Sequence, residues 1–239
     1  MTRKTILITG ASAGIGAACA RLAASQGYDL YLNYNSDAAG AEASAQAARK
    51  MGASATVLQA DVGDPEAVKA MFAQIPSLDG LINNAGIVGP TARLTDMDHA
   101  RLKRMFDVNV IGAMLVAKEA VSRMDAGVIV NVSSAAARLG SGNQYLDYAA
   151  SKAAIDTFTK GLSDEVAAHG IRVLSVRPGI IDTDIHAKGG EPDRADRLAP
   201  MVPMKRKGSA DEVAQTILWL MSDQASYVTG TTIDVTGGR

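Results

Sequence analysis

A chain of 239 residues with 47% apolar and 21% charged side chains has enough apolar mass for one sizeable α/β domain or two small ones. Its formal net charge of −1 excludes a field strong enough to gather nucleic acid or an anionic membrane, so neither is expected as a partner. The single cysteine, Cys19, cannot form an internal disulfide, and the apolar run 5–8 after Met1-Thr2-Arg3-Lys4 is too short for a signal core or a membrane span. Together these predict a cytoplasmic protein.

In chain order, short β-branched runs alternate with longer alanine-rich stretches. Strands are predicted over 5–9, 29–33, 55–59, 80–83, 128–132, 172–176 and 231–235. Helices are predicted over 14–25, 39–51, 65–75, 96–124, 148–169 and 210–221. Several runs, Val128-Ile129-Val130 above all, are apolar at consecutive positions, as expected of strands buried on both faces. The alternation predicts an α/β fold: one Rossmann-type doubly wound parallel sheet of about seven strands, with helices on both faces, in a single domain over 1–239. Residues 182–207 break the pattern with Gly189-Gly190, three prolines, many charges and few periodic apolar positions. Such a stretch after a strand end predicts a substrate lid; a solvated surface excursion is the alternative.

The first strand leads through Thr9-Gly10-Ala11-Ser12-Ala13-Gly14-Ile15-Gly16 into a helix. Glycines here let the backbone turn sharply and approach a pyrophosphate, which the N–H groups of the new helix then face. A tight turn without a ligand would also use glycines. The second strand ends in Asn33-Tyr34-Asn35-Ser36, where a dinucleotide's adenosine ribose is expected. Asp61-Val62 and Asn83-Asn84-Ala85-Gly86 follow the third and fourth strands and are candidate cofactor walls. A helix-capping Asp and an Asx turn are the alternatives there.

Tyr148-Ala149-Ala150-Ser151-Lys152 opens a long helical stretch, so the phenol and the ammonium lie on one face. A nearby cation favours phenolate and brings a tyrosine towards the pKa range useful for general acid/base work. A buried tyrosine beside a surface lysine is the plainer reading. Asn131-Val132-Ser133-Ser134 ends the fifth strand, where a hydroxyl could hold a substrate oxygen beside Tyr148, although paired serines also serve as a strand terminus. Asn109 sits inside a predicted helix that it suits poorly, which invites a specific role or a satisfied core amide. His99, His169 and His186 are not spaced as metal ligands, and no G-x-S-x-G elbow is present, so no metal site is expected.

These motifs together resemble the short-chain dehydrogenase/reductase family over nearly the whole chain. The matching positions are Thr9-Gly10-x-x-x-Gly14-x-Gly16, Asp61, Asn83-Asn84-Ala85-Gly86, Asn109, Ser134, Tyr148-x-x-x-Lys152, Pro178-Gly179 followed by Thr183, Tyr227-Val228-Thr229-Gly230 and Ile233-Asp234-Val235-x-Gly237-Gly238. The stretches 138–148 and 186–192 are similar to a bacterial glucose-dehydrogenase-like and 3-oxoacyl-reductase-like subgroup. The resemblance implies hydride transfer between a nicotinamide cofactor and a small alcohol or carbonyl substrate. It implies Tyr148 as general acid/base, Lys152 lowering its pKa and holding the nicotinamide ribose, Ser134 positioning the substrate oxygen and Asn109 holding a water in a proton relay. Ser134 is chosen over Ser133 by family position, and spacing alone leaves both open. Gly10, Ser12, Ile15, Asp61, Val62, Asn84 and Gly86 would line the dinucleotide, and Ile181 and Thr183, after Pro178-Gly179, would meet the nicotinamide amide. The substrate pocket is expected to draw on Ile87, Val88, Ala136, Tyr145, Ile185, Met201 and Met204.

Two further expectations follow. An enzyme selecting NAD carries a carboxylate where Tyr34 falls, and one selecting NADP carries an arginine where Ala13 or Asn35 falls. Neutral donors remain at Asn33, Asn35, Ser36 and Ser12; without a repelling carboxylate, NADP is expected to be preferred, with NAD also used. A homotetramer is expected by resemblance, and Ala113, Val116, Ala117 and Ala120 supply more small apolar surface than one buried stripe needs. A non-catalytic dinucleotide sensor on the same fold is the alternative function, and it would be expected to lose Tyr148, Lys152, Ser134 or Asn109.

Overall fold

A computed structural model describes residues 3–239; Met1, Thr2 and the side chains of His186 and Lys188 lie outside the described residues. Strands β1 (Thr5–Ile8), β2 (Asp29–Tyr34), β3 (Ala55–Gln59), β4 (Gly80–Asn83), β5 (Gly127–Val132) and β6 (Ile171–Pro178) are each followed by a crossover. The short strands β7 (Ile181–Asp182) and β8 (Gly208–Ser209) pair with each other, and β9 (Thr232–Val235) closes the chain. The helices are α1 (Gly14–Ser25), α2 (Ala38–Lys50), α3 (Pro65–Phe72), α4 (His99–Phe106), α5 (Ala113–Val121), α6 (Ala136–Leu139), α7 (Leu146–Val166), α8 (Ile185–Lys188), α9 (Arg194–Leu198) and α10 (Ala210–Met221).

Seven strands form one parallel sheet in the order β3-β2-β1-β4-β5-β6-β9. Strand side chains alternate between faces, so Ile6 and Ile8 pack into one core with Ala23, Val213, Ile217 and Leu218, while Leu7 enters a second core with Phe72, Val116, Ala117 and Val173. Two cores on two faces explain the consecutive apolar residues of the central strands. The strand order reverses between β1 and β4, and the crevice at that switch point is where open α/β sheets bind ligands.

The predicted helix over 96–124 is instead three pieces. Between α4 and α5 the chain takes a π-helical turn at Asp107–Gly112 that contains Asn109. The extra residue per turn re-aims the Asn109 amide, which accepts from the Ile87 N–H at 2.8 Å and donates to the Ile87 carbonyl at 2.9 Å. Residues 182–207 carry more local structure than expected: α8, α9 and a 3-10 turn at Ala199–Met201, anchored by the β7–β8 pairing. Ala113, Val116, Ala117 and Ala120 are 0–7% exposed and face this chain's own core, so they offer no spare surface for a partner.

Candidate active site

The crevice at the ends of β1, β4, β5 and β6 is one continuous cleft of about 480 Å³. At its floor, the loop after β1 turns with Gly10 at φ +64 and Gly14 at φ +55, both in the left-handed region that glycine adopts freely. Gly16 does not line the cleft. A Cβ there would lie 2.2 Å from the Gly10 carbonyl oxygen, so this glycine lets α1 close against the loop. Gly10, Ser12, Gly14 and Ile15 form the wall at the start of α1, where unpaired N–H groups face the cleft.

Two asparagines expected at a ligand hold the loop instead. Asn33 is 1% exposed; its amide donates to the Ala60 carbonyl at 3.0 Å and its oxygen accepts from the Gly10 N–H at 3.4 Å. Those bonds engage the Asn33 side chain, although Asn33 still borders the cleft. Asn84 donates to the Thr9 and Gly10 carbonyls at 2.9 and 3.0 Å, tying the end of β4 to the loop while still bordering the cleft. The adenosine end is then walled by Asn35, Ser36, Asp61 and Val62. Asp61 accepts from the Gly63 N–H at 2.9 Å and pairs with Arg104 at 2.7 Å, while the helix cap it was weighed against is Asp64. Asp37 and Arg104 also line this end and were not anticipated. Asp37 caps α2 through the Gly40 N–H and so sets a carboxylate at this end of the cleft.

At the opposite end lie Ser134, Tyr148, Lys152, Pro178, Gly179, Ile181 and Thr183. Tyr148 is half-buried near the start of α7, whose first turn is anchored by a two-pronged Arg101–Asp147 pair at 2.8 and 3.2 Å. The two candidate serines separate. Ser133 is 2% exposed and donates to the Lys152 carbonyl at 3.0 Å, whereas the Ser134 hydroxyl accepts from the Ala136 N–H at 3.2 Å and borders the cleft with Tyr148. Burial pushes the Tyr148 pKa above its ordinary value of 10, and Ser134 pulls against that shift.

Lys152 lines the cleft with Tyr148. Its ammonium donates to the Val132 carbonyl at 2.7 Å and lies 5.7 Å from the centroid of the Tyr148 ring. Burial lowers its pKa from 10.5 to about 8, with Asp156 opposing. Gly86 is what lets the lysine in: a Cβ there would lie 3.3 Å from both the Lys152 Nζ and the Asn109 Oδ1. Asn109 itself is 1% exposed and stands behind Gly86 and Ile87, with its amide also bonded to Ser151 at 3.1 Å. Its side chain is thus fully partnered and does not face the cleft.

Ile87, Val88, Ala136, Tyr145 and Ile185 line the substrate end as expected. Met201 and Met204 do not; they are 69% and 60% exposed. Leu139, Ser141, Asp184, Arg194 and Arg239 take part instead. Nothing local in the sequence marks Arg104, Arg194 or Arg239, which read as ordinary surface charges on short helices or at the terminus. Among the described residues no helix is long and apolar enough to cross a membrane, and no cluster of three candidate metal ligands occurs.

A glycine-rich loop, a Tyr–x–x–x–Lys helix and a serine at the end of β5 open on one cleft. The family model described as enoyl-(acyl carrier protein) reductase matches residues 10–239. The chain belongs to the short-chain dehydrogenase/reductase family. Within it, the chain is 50% identical to the uncharacterized oxidoreductase YgfF of Escherichia coli (strain K12), covering 98% of each. It is 39% identical to 3beta-hydroxysteroid dehydrogenase 1 of Eggerthella lenta, covering 98% of this chain and 93% of that one. A solved short-chain dehydrogenase of Burkholderia cenocepacia J2315, in complex with NADP, superposes with a TM-score of 0.92 at 31% identity, covering 99% of this chain and 97% of that one. The protein is therefore an oxidoreductase of the dehydrogenase/reductase type.

The residues present fit a dinucleotide. The glycine loop leaves open the space that a Cβ would occupy, and the cleft runs unbroken from Ser36 to Thr183. When bound, such a cofactor supplies or accepts the hydride.

Proposed function

We propose that this dehydrogenase/reductase interconverts a small carbonyl and its alcohol, with Tyr148 giving and taking the proton on the substrate oxygen. The observation that carries the reading is that Ser134, Tyr148 and Lys152 open together on the inner end of the cleft, with the Ser134 side chain near enough to pull the Tyr148 pKa down. In reduction, the substrate oxygen accepts from both hydroxyls, and the developing negative charge draws the phenolic proton across. A phenol held above its ordinary pKa is protonated at neutral pH and so is ready to donate. Reversal needs phenolate, which an ammonium at Lys152 would stabilise across the ring. Lys152 and Asn109 are proposed as the remaining catalytic positions. Lys152 would hold the nicotinamide ribose, and Asn109 would serve from behind Gly86, where a relay water would have to meet its backbone rather than its bonded amide.

Gly10, Ser12, Gly14, Ile15, Asn35, Ser36, Asp61, Val62, Asn84, Ala85 and Gly86 are proposed to hold the cofactor's adenosine and phosphates. Pro178, Gly179, Ile181 and Thr183 are proposed for its nicotinamide end. NADP is the proposed preference, with NAD also used, supported by the absence of a carboxylate at Tyr34 and by the NADP in the Burkholderia relative. Residues 182–207 are proposed as a substrate lid and the assembly as a cytoplasmic homotetramer; exposed Ile111, Met114, Trp219 and Tyr227 are available to a partner copy. The test of the chemistry is Tyr148→Phe, which keeps the ring and the fold. Turnover should fall at least 10²–10⁴-fold, the range general acid/base catalysis supplies, with cofactor affinity retained. Parent-like turnover would defeat the assignment.

A further inference from the structure

On the substrate side of the cleft, one carboxylate gathers two hydroxyls and two guanidinium groups that proton and hydride transfer leave unused. Glu191 Oε1 accepts from the Tyr145 hydroxyl at 2.7 Å and from the Thr91 hydroxyl, and it lies 3.5 Å from the Arg194 Nη1. Glu191 Oε2 pairs with Arg197, whose side chain is 62% exposed. Arg194 also donates to the Gln144 Oε1 at 2.7 Å, and its guanidinium stands 4.8 Å from the centroid of the Tyr145 ring. Arg194 and Tyr145 are 9% and 6% exposed, and both line the cleft; Glu191 does not and stands behind them. Ile87, Val88, Ala136, Leu139, Ile180 and Ile185 make the rest of this wall apolar. Asp184 and Arg239 also line this end and are of opposite sign, and the buried Lys152 lies deeper, beside Tyr148.

An arginine has thus been built into the wall of an apolar pocket with its charge answered from the rear. We propose that Glu191 is a specificity-determining residue: by engaging Arg194 and the Tyr145 hydroxyl it hides both from the pocket, so the site selects an uncharged, largely apolar carbonyl compound over one bearing a carboxylate. The proposal rests on the reading of this cleft as a carbonyl-reducing site. A substrate carboxylate would have to compete with Glu191 for a guanidinium already paired, and would meet the Glu191 charge at short range. Extra hydroxyls on a substrate would find the Tyr145 phenol already donating, and a buried polar group left unpaired is costly. The mask is present across the working pH range, because bonds from Thr91 and Tyr145, with both arginines, hold the Glu191 pKa down to about 2.

The test is Glu191→Gln, which still accepts from Tyr145 and Thr91 but carries no charge. Parent and variant, with saturating NADPH, are given cyclohexanone and 4-oxocyclohexanecarboxylate, which differ chiefly by one carboxylate. The parent should prefer the ketone, and the acid-to-ketone ratio of kcat/KM should rise at least about tenfold in the variant. Adding Arg194→Met to Glu191→Gln should remove that gain. A ratio unchanged within about twofold, or a parent that already prefers the oxo acid, would overturn the proposal. The same ratio is read without turnover from calorimetric affinities of cyclohexanecarboxylate and cyclohexanecarboxamide for the NADP-loaded proteins. Absent turnover in the parent then counts against the proton-transfer reading. An unchanged affinity ratio, or no binding of either probe to any of the proteins, counts against the role of Glu191.

Discussion

Replacing Lys152 with methionine should stabilise the fold while removing the cation that the site uses. Lys152 is 4% exposed, and its ammonium has one carbonyl partner, Val132. Burial takes its pKa from 10.5 to about 8, with Asp156 working against the shift. That difference of roughly 2.5 units, at 1.36 kcal/mol each, means that keeping the lysine charged in the folded state costs about 3 kcal/mol at pH 7. Methionine fills a similar volume, and losing the bond to Val132 returns about 1 kcal/mol, so the variant should gain about 2 kcal/mol. The sign over pH follows from the depressed pKa. Between pH 8 and 10.5 the unfolded chain binds more protons at this site than the folded one, so the parent gains stability relative to the variant as pH rises through that window. The Cys19 thiol, pushed up by burial, acts oppositely above pH 9, but both proteins carry it, so their difference isolates Lys152. Urea unfolding of ligand-free parent and variant at pH 7, 8, 9 and 10 measures this. The variant's advantage should be largest at pH 7 and shrink by up to about 1.4 kcal/mol per pH unit above 8. A variant no more stable than the parent at pH 7, or a difference flat with pH, would refute the reasoning.

Gly16→Ala places a Cβ 2.2 Å from the Gly10 carbonyl oxygen, where backbone must give way; cofactor affinity by fluorescence titration should weaken at least about tenfold, with about 1–3 kcal/mol of stability lost, and an unchanged Kd would show that the loop tolerates the shift. The kcat/KM ratio of NADPH to NADH with one ketone should favour NADPH, and Asn35→Arg should raise it further by adding a cation beside the 2′-phosphate. A parent preference for NADH above about tenfold, roughly 1.4 kcal/mol, would point to the Asp37 carboxylate as the stronger influence. Sedimentation at micromolar concentration should give a tetramer, and Ile111→Glu with Met114→Glu should lower the assembly state; a monomeric parent would exclude it.

The sequence by itself determined the layered architecture. Central strands such as Val128-Ile129-Val130 are apolar at every position because both faces meet helices, and that pattern can be read within a few residues. The glycine loop and the Tyr148–Lys152 spacing were equally legible, because a sharp turn and a shared helix face are local properties. Tertiary structure alone decided which of these groups meet. Ser133 and Ser134 are adjacent, yet one donates to the Lys152 carbonyl and the other accepts from the Ala136 N–H. Asn33 reads as a ribose donor, and only the fold adds the Ala60 carbonyl and the Gly10 N–H as its partners. The break at Asp107–Gly112 leaves no mark in hydrophobic periodicity, since its purpose is to bring Asn109 to Ile87, 22 residues away. Arg104 and Arg194 resemble solvated charges until the fold sets one on Asp61 and the other in the substrate wall against Glu191. Local pattern reports what each segment must bury. The pairing of buried polar groups is fixed by strand order and crossover geometry, which no single stretch of chain encodes.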